Sequence, residues 1–184
     1  SINSQTIKKN DVFFAIKGER LDGNRFVLDA IKKKASLAIV NRINKSCTLS
    51  KQVKVKNTLS FLTKCSCSFR ENINAKIISI TGSCGKTTLK EMIGFSLNKI
   101  FKTSYSQKSF NNKYGVPLSL FNLKQNDDYG VLEVGMDKKG EINDLTKIIK
   151  PDLGVITNIS YAHSKNFKNI NQIAEAKAEI MNNI

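Results

Sequence analysis

The segment Thr81–Thr88, with the sequence TGSCGKTT, combines the residue types that proteins use to bind phosphate. Its glycines, Gly82 and Gly85, let the backbone approach an anion closely, and the ammonium of Lys86 can reach terminal phosphate oxygens. A threonine hydroxyl directly after the lysine can ligate Mg²⁺. The residue types therefore predict a phosphate-binding loop.

This loop differs from the common Walker loop in its length. The Walker pattern has a further glycine, with four residues between it and the Gly-Lys pair, and Ile80 occupies that position here. The alternative is a chance Gly-Lys-Thr sequence at an ordinary turn. However, the strand pattern Lys76–Thr81 precedes the loop and a helical pattern follows it, which is the context that a phosphate loop requires. The context favours phosphate binding by a shorter type of loop.

A carboxylate, that of Glu133, stands inside the apolar run Tyr129–Gly135. Burying a carboxylate is costly unless a cation compensates its charge. Mg²⁺ prefers hard oxygen ligands, so a metal ligand is one interpretation of Glu133. Pairing with a buried lysine or arginine is the other, and the residues alone leave both open.

The only histidine of the chain, His163, follows the apolar run Asp152–Ile159. A lone histidine is more often a surface or packing residue than a ligand. In open parallel sheets, however, ligands bind beyond the carboxyl ends of the strands. Three apolar runs, one before the glycine loop, one that contains Glu133 and one before His163, would end at the same edge of the sheet. The order of the elements therefore predicts one site built from the loop, Glu133 and His163.

The elements that must position this site alternate between strand and helix patterns from residue 76 onward. This alternation predicts an α/β fold with a doubly wound, mostly parallel sheet and flanking helices. The helix after the glycine loop is predicted to turn five apolar residues inward, namely Leu89, Met92, Ile93, Leu97 and Ile100. Shorter helices are predicted in GVPLSLFNL and EINDLTKIIK, and a last one in NINQIAEAKAEIMNNI.

The first part of the chain is predicted to form a separate, small α/β domain. Its strand patterns are Asp11–Ile16, Ser36–Val40 and Gln52–Lys56, and a helix is predicted after the N-cap residue Asn57. The polar segment Glu71–Ala75 is the predicted boundary. The domains are therefore expected at residues 1–74 and 75–184.

The composition excludes several classes of protein. The net charge is +15, but the lysines are spread along the chain with many Asn and Ile residues, and no basic run is interleaved with aromatic residues. Compositional bias explains this charge better than nucleic-acid binding. No apolar run reaches the about 18 residues of a membrane span and no signal peptide is visible, so we expect a cytoplasmic protein. The spacing of the four cysteines does not suit a zinc site or a disulfide framework.

Several segments together resemble the Mur ligase family, the ATP-dependent amide-forming enzymes of peptidoglycan synthesis. The resemblance covers essentially the whole chain and is carried by FFAIKGERLDGNRF, ITGSCGKTTLKEM, FNNKYGVPLSLFNL, VLEVGMDKKGEI, VITNISYAH and IAEAKAEI. The short phosphate loop resembles that of the family. Within the family, the resemblance is to the branch that joins D-alanyl-D-alanine to UDP-N-acetylmuramoyl-tripeptide.

The resemblance implies a mechanism and a set of site residues. ATP phosphorylates the tripeptide carboxylate, and the amine of D-alanyl-D-alanine attacks the acyl phosphate. The phosphates of ATP would lie on the loop, Gly82, Ser83, Cys84, Gly85, Lys86, Thr87 and Thr88. Thr87 and Glu133 would hold a first Mg²⁺, and His163 with a carbamylated Lys177 a second. Lys86, His163 and Lys177 would be the catalytic residues. Ser4, Asn111 and Asn112 would lie near the UDP-linked substrate.

For several of these residues the sequence alone favours a simpler interpretation. By residue type, Lys177 is an ordinary solvated helix lysine. Asn111 and Asn112 can equally form a turn before the next helix. Gln5 stands where the family commonly has an arginine, which weakens one expected uridine-nucleotide contact.

The resemblance also implies parts of the enzyme beyond these residues. In the family the central domain continues past the position of Lys177 and a C-terminal domain closes over ATP, and we expect these 184 residues to lack both parts. We therefore expect a ligase fragment that is inactive alone and belongs to a monomeric enzyme. A stand-alone nucleotide-binding module without catalysis is the alternative.

Overall fold

The computed structural model describes residues 1–19, 21–106, 110–161 and 166–184. It contains two compact units, Ser1–Cys65 and Ser66–Ile184. The units divide within helix α2 (Thr58–Glu71). A division of the domains at residue 75 stays a prediction.

The Ser1–Cys65 unit is built on a three-stranded parallel sheet in the order β1-β2-β3. The strands are Val12–Phe14, Leu37–Val40 and Gln52–Lys54, and helix α1 spans Val27–Lys32 after a 3₁₀ turn at Gly23–Phe26. Helix α2 begins as predicted, because the Oδ1 atom of Asn57 accepts the Ser60 N–H at 2.9 Å. The core comprises Ile7, Phe13, Ala15, Val27, Ala30, Ala35, Ala38, Val40 and Cys47.

The Ser66–Ile184 unit contains a four-stranded parallel sheet in the order β5-β6-β4-β7. The strands are β4 (Lys76–Thr81), β5 (Thr103–Tyr105), β6 (Tyr129–Glu133) and β7 (Leu153–Ile156). Ile80 of β4 lies beside Glu133 of β6 and Val155 of β7, so these three strands end at one edge. The predicted parallel α/β sheet is confirmed. The sequence did not predict β5, because its three residues, Thr-Ser-Tyr, form no apolar run.

Helices cover both faces of this sheet. They are α3 (Lys86–Leu97), α4 (Gly115–Leu120), α5 (Glu141–Ile149) and α6 (Ile170–Ala178), followed by a 3₁₀ turn at Glu179–Met181. The main core lies on the face covered by α4, α5 and α6, and includes Ile77, Val116, Leu120, Leu132, Val134, Ile142, Leu145, Ile149, Ile173 and Ile180. Helix α3 packs on the opposite face. Among the described ranges, none of the helices has the length and apolar character that a bilayer span requires.

The inward face of α3 differs from the prediction at two positions. Met92 is 61% exposed and Ile100, beyond the helix, is 78% exposed. The helix approaches the sheet closely at Gly94, where an added Cβ would be 2.5 Å from the ring of Tyr105. This close approach turns Lys90 and Gly94 inward, and Met92 consequently points to solvent.

An arginine joins three elements at the opposite end of the sheet from the predicted site. In the last turn of α2, the Nε of Arg70 donates to the Ile149 carbonyl at 2.6 Å, and its Nη2 donates to the Lys150 carbonyl at 3.0 Å. The same Nη2 lies 3.4 Å from Asp152, directly before β7. Lys76 also pairs with Asp152, at 2.7 Å. Arg70 therefore ties the end of α5 to the start of β7.

Candidate phosphate-binding site

The glycine loop connects β4 to α3, and the first N–H groups of that helix have no partner within the helix. Gly82 and Gly85 have positive φ angles of 148° and 79°, a backbone conformation that side chains rarely permit. Gly85 is the N-cap of α3 and provides no capping side chain. The first N–H groups of a helix have no partner within the helix and attract anions. The loop therefore presents the N–H groups of Lys86, Thr87 and Thr88 to an anion.

The ammonium of Lys86 lies over this loop. Its Nζ donates to the carbonyl of Gly82 at 2.7 Å. A flexible side chain in this position can exchange the carbonyl for a phosphate oxygen, because the charge-assisted bond to phosphate is stronger. The geometry supports the predicted role of Lys86 as the cation that contacts phosphate.

The carboxylate of Glu133 is only 1% exposed and connects the loop to a neighbouring segment. Its Oε2 accepts a hydrogen bond from the Thr87 hydroxyl at 2.8 Å, and its Oε1 accepts one from the Asn111 amide at 2.8 Å. In the part of the chain that the structure describes, no lysine or arginine forms an ion pair with Glu133. The hydrogen bonds that these residues give to the buried carboxylate come from neutral groups, which suits a site for a cation such as Mg²⁺.

This donor set fits a metal that also binds phosphate. Among the described residues, no group of three or more His, Cys, Asp or Glu side chains could hold a metal ion. Glu133 and Thr87 supply two hard oxygens, and Mg²⁺ commonly takes its other ligands from substrate phosphates and water. The two residues fit Mg²⁺ bound together with a nucleotide.

The lysine of α6, Lys177, is buried rather than solvated. Only 2% of it is exposed, and Ala176 beside it is fully buried. Burial, with a contribution from the positive charge of Lys86, lowers the pKa of Lys177 to about 8. The interpretation of Lys177 as a solvated helix lysine is wrong, because the core of the unit covers it. Lys177 is therefore close enough to the phosphate loop for the charge of Lys86 to affect its pKa.

The other predicted site residues do not all lie at the phosphate loop. Asn112 forms the turn before α4, since its Oδ1 accepts the N–H groups of Tyr114 and Gly115 at 3.0 Å each. Ser4 is buried in the Ser1–Cys65 unit. His163 lies outside the described residues.

Two features of the structure were missed in the sequence. One is the contact of Thr157 and Asn158, after β7, with the phosphate loop. The other is a cavity of about 260 Å³ in the Ser1–Cys65 unit, lined by Asn24, Arg25, Arg42, Ile43, Asn44 and Lys45. Polar residues at the end of a predicted strand could have indicated the first feature. No sequence pattern brings the cavity residues together.

Two family models match the chain. Residues 80–184 match the Mur ligase middle domain, and residues 1–69 match the description "Mur ligase family, catalytic domain". The chain belongs to the Mur ligase family. The resemblance to this family, which several segments of the sequence carry, is confirmed.

Individual Mur ligases show how much of the enzyme this chain represents. It is 40% identical to the UDP-N-acetylmuramoyl-tripeptide–D-alanyl-D-alanine ligase of Rickettsia prowazekii, over 98% of this chain and 40% of that protein. The Buchnera aphidicola ligase of the same name is 37% identical over 100% of this chain and 40% of its own length. The chain thus spans about two fifths of these relatives.

Solved Mur ligase structures have the same fold. MurF from Acinetobacter baumannii superposes with a TM-score of 0.90 at 36% identity, over 100% of this chain and 40% of that one. The MurF ligase from Thermotoga maritima, solved in complex with ADP, gives a TM-score of 0.84 at 32% identity, over 98% of this chain and 42% of that one.

Proposed function

We propose that this chain supplies the ATP site and the UDP-substrate domain of a Mur ligase that joins D-alanyl-D-alanine to UDP-N-acetylmuramoyl-tripeptide. The observation that carries the proposal is the hydrogen bond between Thr87 and the buried Glu133 beside Lys86. Among the described residues this buried carboxylate forms no ion pair, which supports a cation site beside the loop. The names of the relatives support the substrates.

The proposed reaction brings two anions together, which requires positive charge at the site. A carboxylate oxygen of the tripeptide attacks the terminal phosphorus of ATP, and ADP leaves. The amine of D-alanyl-D-alanine then attacks the acyl carbon, phosphate leaves, and a proton is lost as the amide forms. The N–H groups at the start of α3 and the ammonium of Lys86 would hold the phosphates.

Glu133 and Thr87 would hold Mg²⁺, which neutralises phosphate charge when it is bound. His163 and carbamylated Lys177 remain proposed ligands of a second Mg²⁺, on the strength of the family resemblance. We propose the cytoplasm as the location, since ATP and UDP-linked precursors are found there.

The cavity in the Ser1–Cys65 unit is our candidate for the UDP end of the substrate. Arg25, Arg42 and Lys45 line it, and cationic side chains suit a diphosphate. Ser4 is not among its lining residues, so the predicted contact of Ser4 with the substrate has no support from this cavity. The proposal keeps residues 1–74 as the UDP-substrate domain and 75–184 as part of the ATP domain.

A chimera tests the proposed function directly. Residues 1–184 would replace the matching 40% of the Rickettsia prowazekii ligase. We expect phosphate release from ATP only when UDP-N-acetylmuramoyl-tripeptide and D-alanyl-D-alanine are both present. The same chimera with Lys86→Ala is the control and should be slower by about 100-fold or more. A folded chimera that binds ADP but forms no amide would contradict the ligase and favour a nucleotide-binding module without catalysis.

Lys177 is expected to take up one CO₂ as a carbamate. The neutral amine attacks the carbon of CO₂ and loses one proton, so the modification needs the deprotonated form. Because burial and the charge of Lys86 lower the pKa of Lys177 to about 8, the neutral fraction of the amine grows as the pH rises through that value. Native mass spectrometry in bicarbonate should show the added mass, increasing with pH.

Lys177→Arg is the control, because arginine keeps the positive charge but forms no such carbamate. The added mass should disappear in this variant. An unmodified Lys177 above pH 8 in saturating bicarbonate would refute the assignment.

A further inference from the structure

The phosphate loop is held in its shape by the residues that follow the neighbouring strand β7. The Ser83 N–H donates to the backbone carbonyl of Asn158 at 3.0 Å, and the Cys84 N–H donates to the Asn158 Oδ1 at 3.0 Å. The Thr157 hydroxyl donates to the Cys84 carbonyl at 2.6 Å. Ser83 and Ser160 are joined through the Ser83 hydroxyl, which donates to the Ser160 carbonyl at 3.0 Å and accepts its N–H at 2.9 Å.

The side-chain amide of Asn158 uses both of its ends on one residue. Its Oδ1 accepts the Cys84 N–H, and its Nδ2 donates to the Cys84 sulfur at 2.8 Å. An amide that is bonded at both ends defines the orientation of the peptide it contacts, because rotation would break one bond to keep the other. Asn158 therefore sets the direction of the backbone just before Gly85.

The same contacts divide the N–H groups of the loop into two sets. Those of Ser83 and Cys84 are taken by Asn158, whereas those of Lys86, Thr87 and Thr88 have no partner within the helix. To bind an anion, the loop must point the N–H groups of Lys86, Thr87 and Thr88 in one direction. The first set serves to hold it in that direction.

The loop packs closely at Gly82 against Thr157, the residue after β7. A Cβ added to Gly82 would lie 1.8 Å from the Thr157 hydroxyl oxygen. The same hydroxyl oxygen lies 3.3 Å from the Thr81 carbonyl, at the end of β4. Thr157 thus touches the chain on both sides of Gly82.

From these contacts we infer that Thr157 and Asn158 are positioning residues for phosphate binding. They do not contact the phosphate; they act through Ser83 and Cys84 on the N–H groups that do. The inference rests on the proposed function, since it assumes that the loop binds a nucleotide. Preorganised donors bind an anion more tightly than mobile ones, because less ordering remains to be done on binding.

The test is ADP binding by the 184-residue chain, measured by calorimetry. Asn158→Ala and Thr157→Val should each weaken binding by about tenfold. Thr157→Ser keeps the hydroxyl and should bind as the parent does. Asn126→Ala removes an exposed asparagine in the turn before β6 and is the matched control. Lys86→Ala reports on the proposed function itself.

An amide ¹H–¹⁵N spectrum provides the readout that a general loss of structure would not give. In Asn158→Ala, the Cys84 amide proton should move upfield as its hydrogen bond is lost, while the amides of β4 and β6 stay in place. Unchanged or tighter ADP binding by both Asn158→Ala and Thr157→Val, with a clear loss in Lys86→Ala, would overturn the inference and leave the proposed function standing. If the parent chain bound no ADP, the inference would fall, and the chimera would decide the proposed function by itself.

Discussion

Lys86→Ala is expected to weaken the binding of ADP to this chain by roughly 100-fold, because a charge-assisted bond between ammonium and phosphate is lost. In the structure the Lys86 ammonium lies on the loop itself, bonded to the Gly82 carbonyl at 2.7 Å, so it needs only a short movement to reach a phosphate. Isothermal titration calorimetry of the parent and the variant measures the loss. Lys99→Ala is the control, since Lys99 is an exposed lysine just beyond the other end of α3, over the ring of Phe95.

The same substitution should change the titration of Lys177. The positive charge of Lys86 contributes to the low pKa of Lys177, after burial, so its removal should raise that pKa above about 8. Carbamate formation at a given pH should then decrease. Lys86→Ala with unaltered ADP affinity and unaltered Lys177 modification would show that the ammonium acts neither on phosphate nor on its neighbour.

Arg70→Ala should produce the largest loss of stability, about 3–4 kcal/mol in the free energy of unfolding. The Arg70 side chain is 12% exposed and donates to the last carbonyls of α5 and to Asp152. Its removal leaves the half-buried Ile149 carbonyl without this donor, and Asp152 keeps only Lys76 and the Ile77 N–H as partners. Urea denaturation of the 184-residue chain, monitored by circular dichroism, measures the change.

The second cation on Asp152 provides a matched comparison. Lys76 lies 2.7 Å from the same carboxylate, but its side chain is 68% exposed, so Lys76→Ala should cost less than about 1 kcal/mol. Equal losses for the two variants would show that burial of Arg70 is not the cause.

The pKa of Asp152 gives this end of the sheet a dependence on pH. Burial alone would raise the pKa of Asp152, but hydrogen bonds from Lys76 and the Ile77 N–H, with the charges of Lys76 and Arg70, hold it below the ordinary value. A carboxyl group with a lowered pKa in the folded chain stabilises the fold at pH values above its pKa in the unfolded chain. This stabilisation is lost as the pH falls through the pKa of the folded chain.

The sequence predicted the parts of this fold that depend on local pattern. The strand Lys76–Thr81 was recognisable from its apolar run, and the glycines with Lys86 identified the loop after it. Parallel strands end at one edge, so the meeting of Glu133 with Thr87 followed from the order of the elements.

What the sequence did not predict depends on tertiary packing. Lys177 has the residue type and helical setting of a solvated lysine, and only the folded core shows that it is covered. Asn158 follows a strand, as many turn asparagines do, and its contact with Cys84 crosses between two strands that are distant in sequence. Met92 satisfies the helical period, yet the close contact of Gly94 with Tyr105 turns it outward.

The position of β7 in the sheet has a consequence for proteolysis. Within the described sheet, β7 pairs only with β4, yet the residues after it bind the phosphate loop. A strand with one neighbour separates from its sheet more readily than a strand with two, and a protease cuts the separated form. A nucleotide on the loop would make that separation rarer, since the loop and the end of β7 must part for it to occur. Cleavage near residues 153–160 should therefore slow as the concentration of nucleotide rises. The rate of proteolysis at β7 would then measure nucleotide binding to the loop after β4.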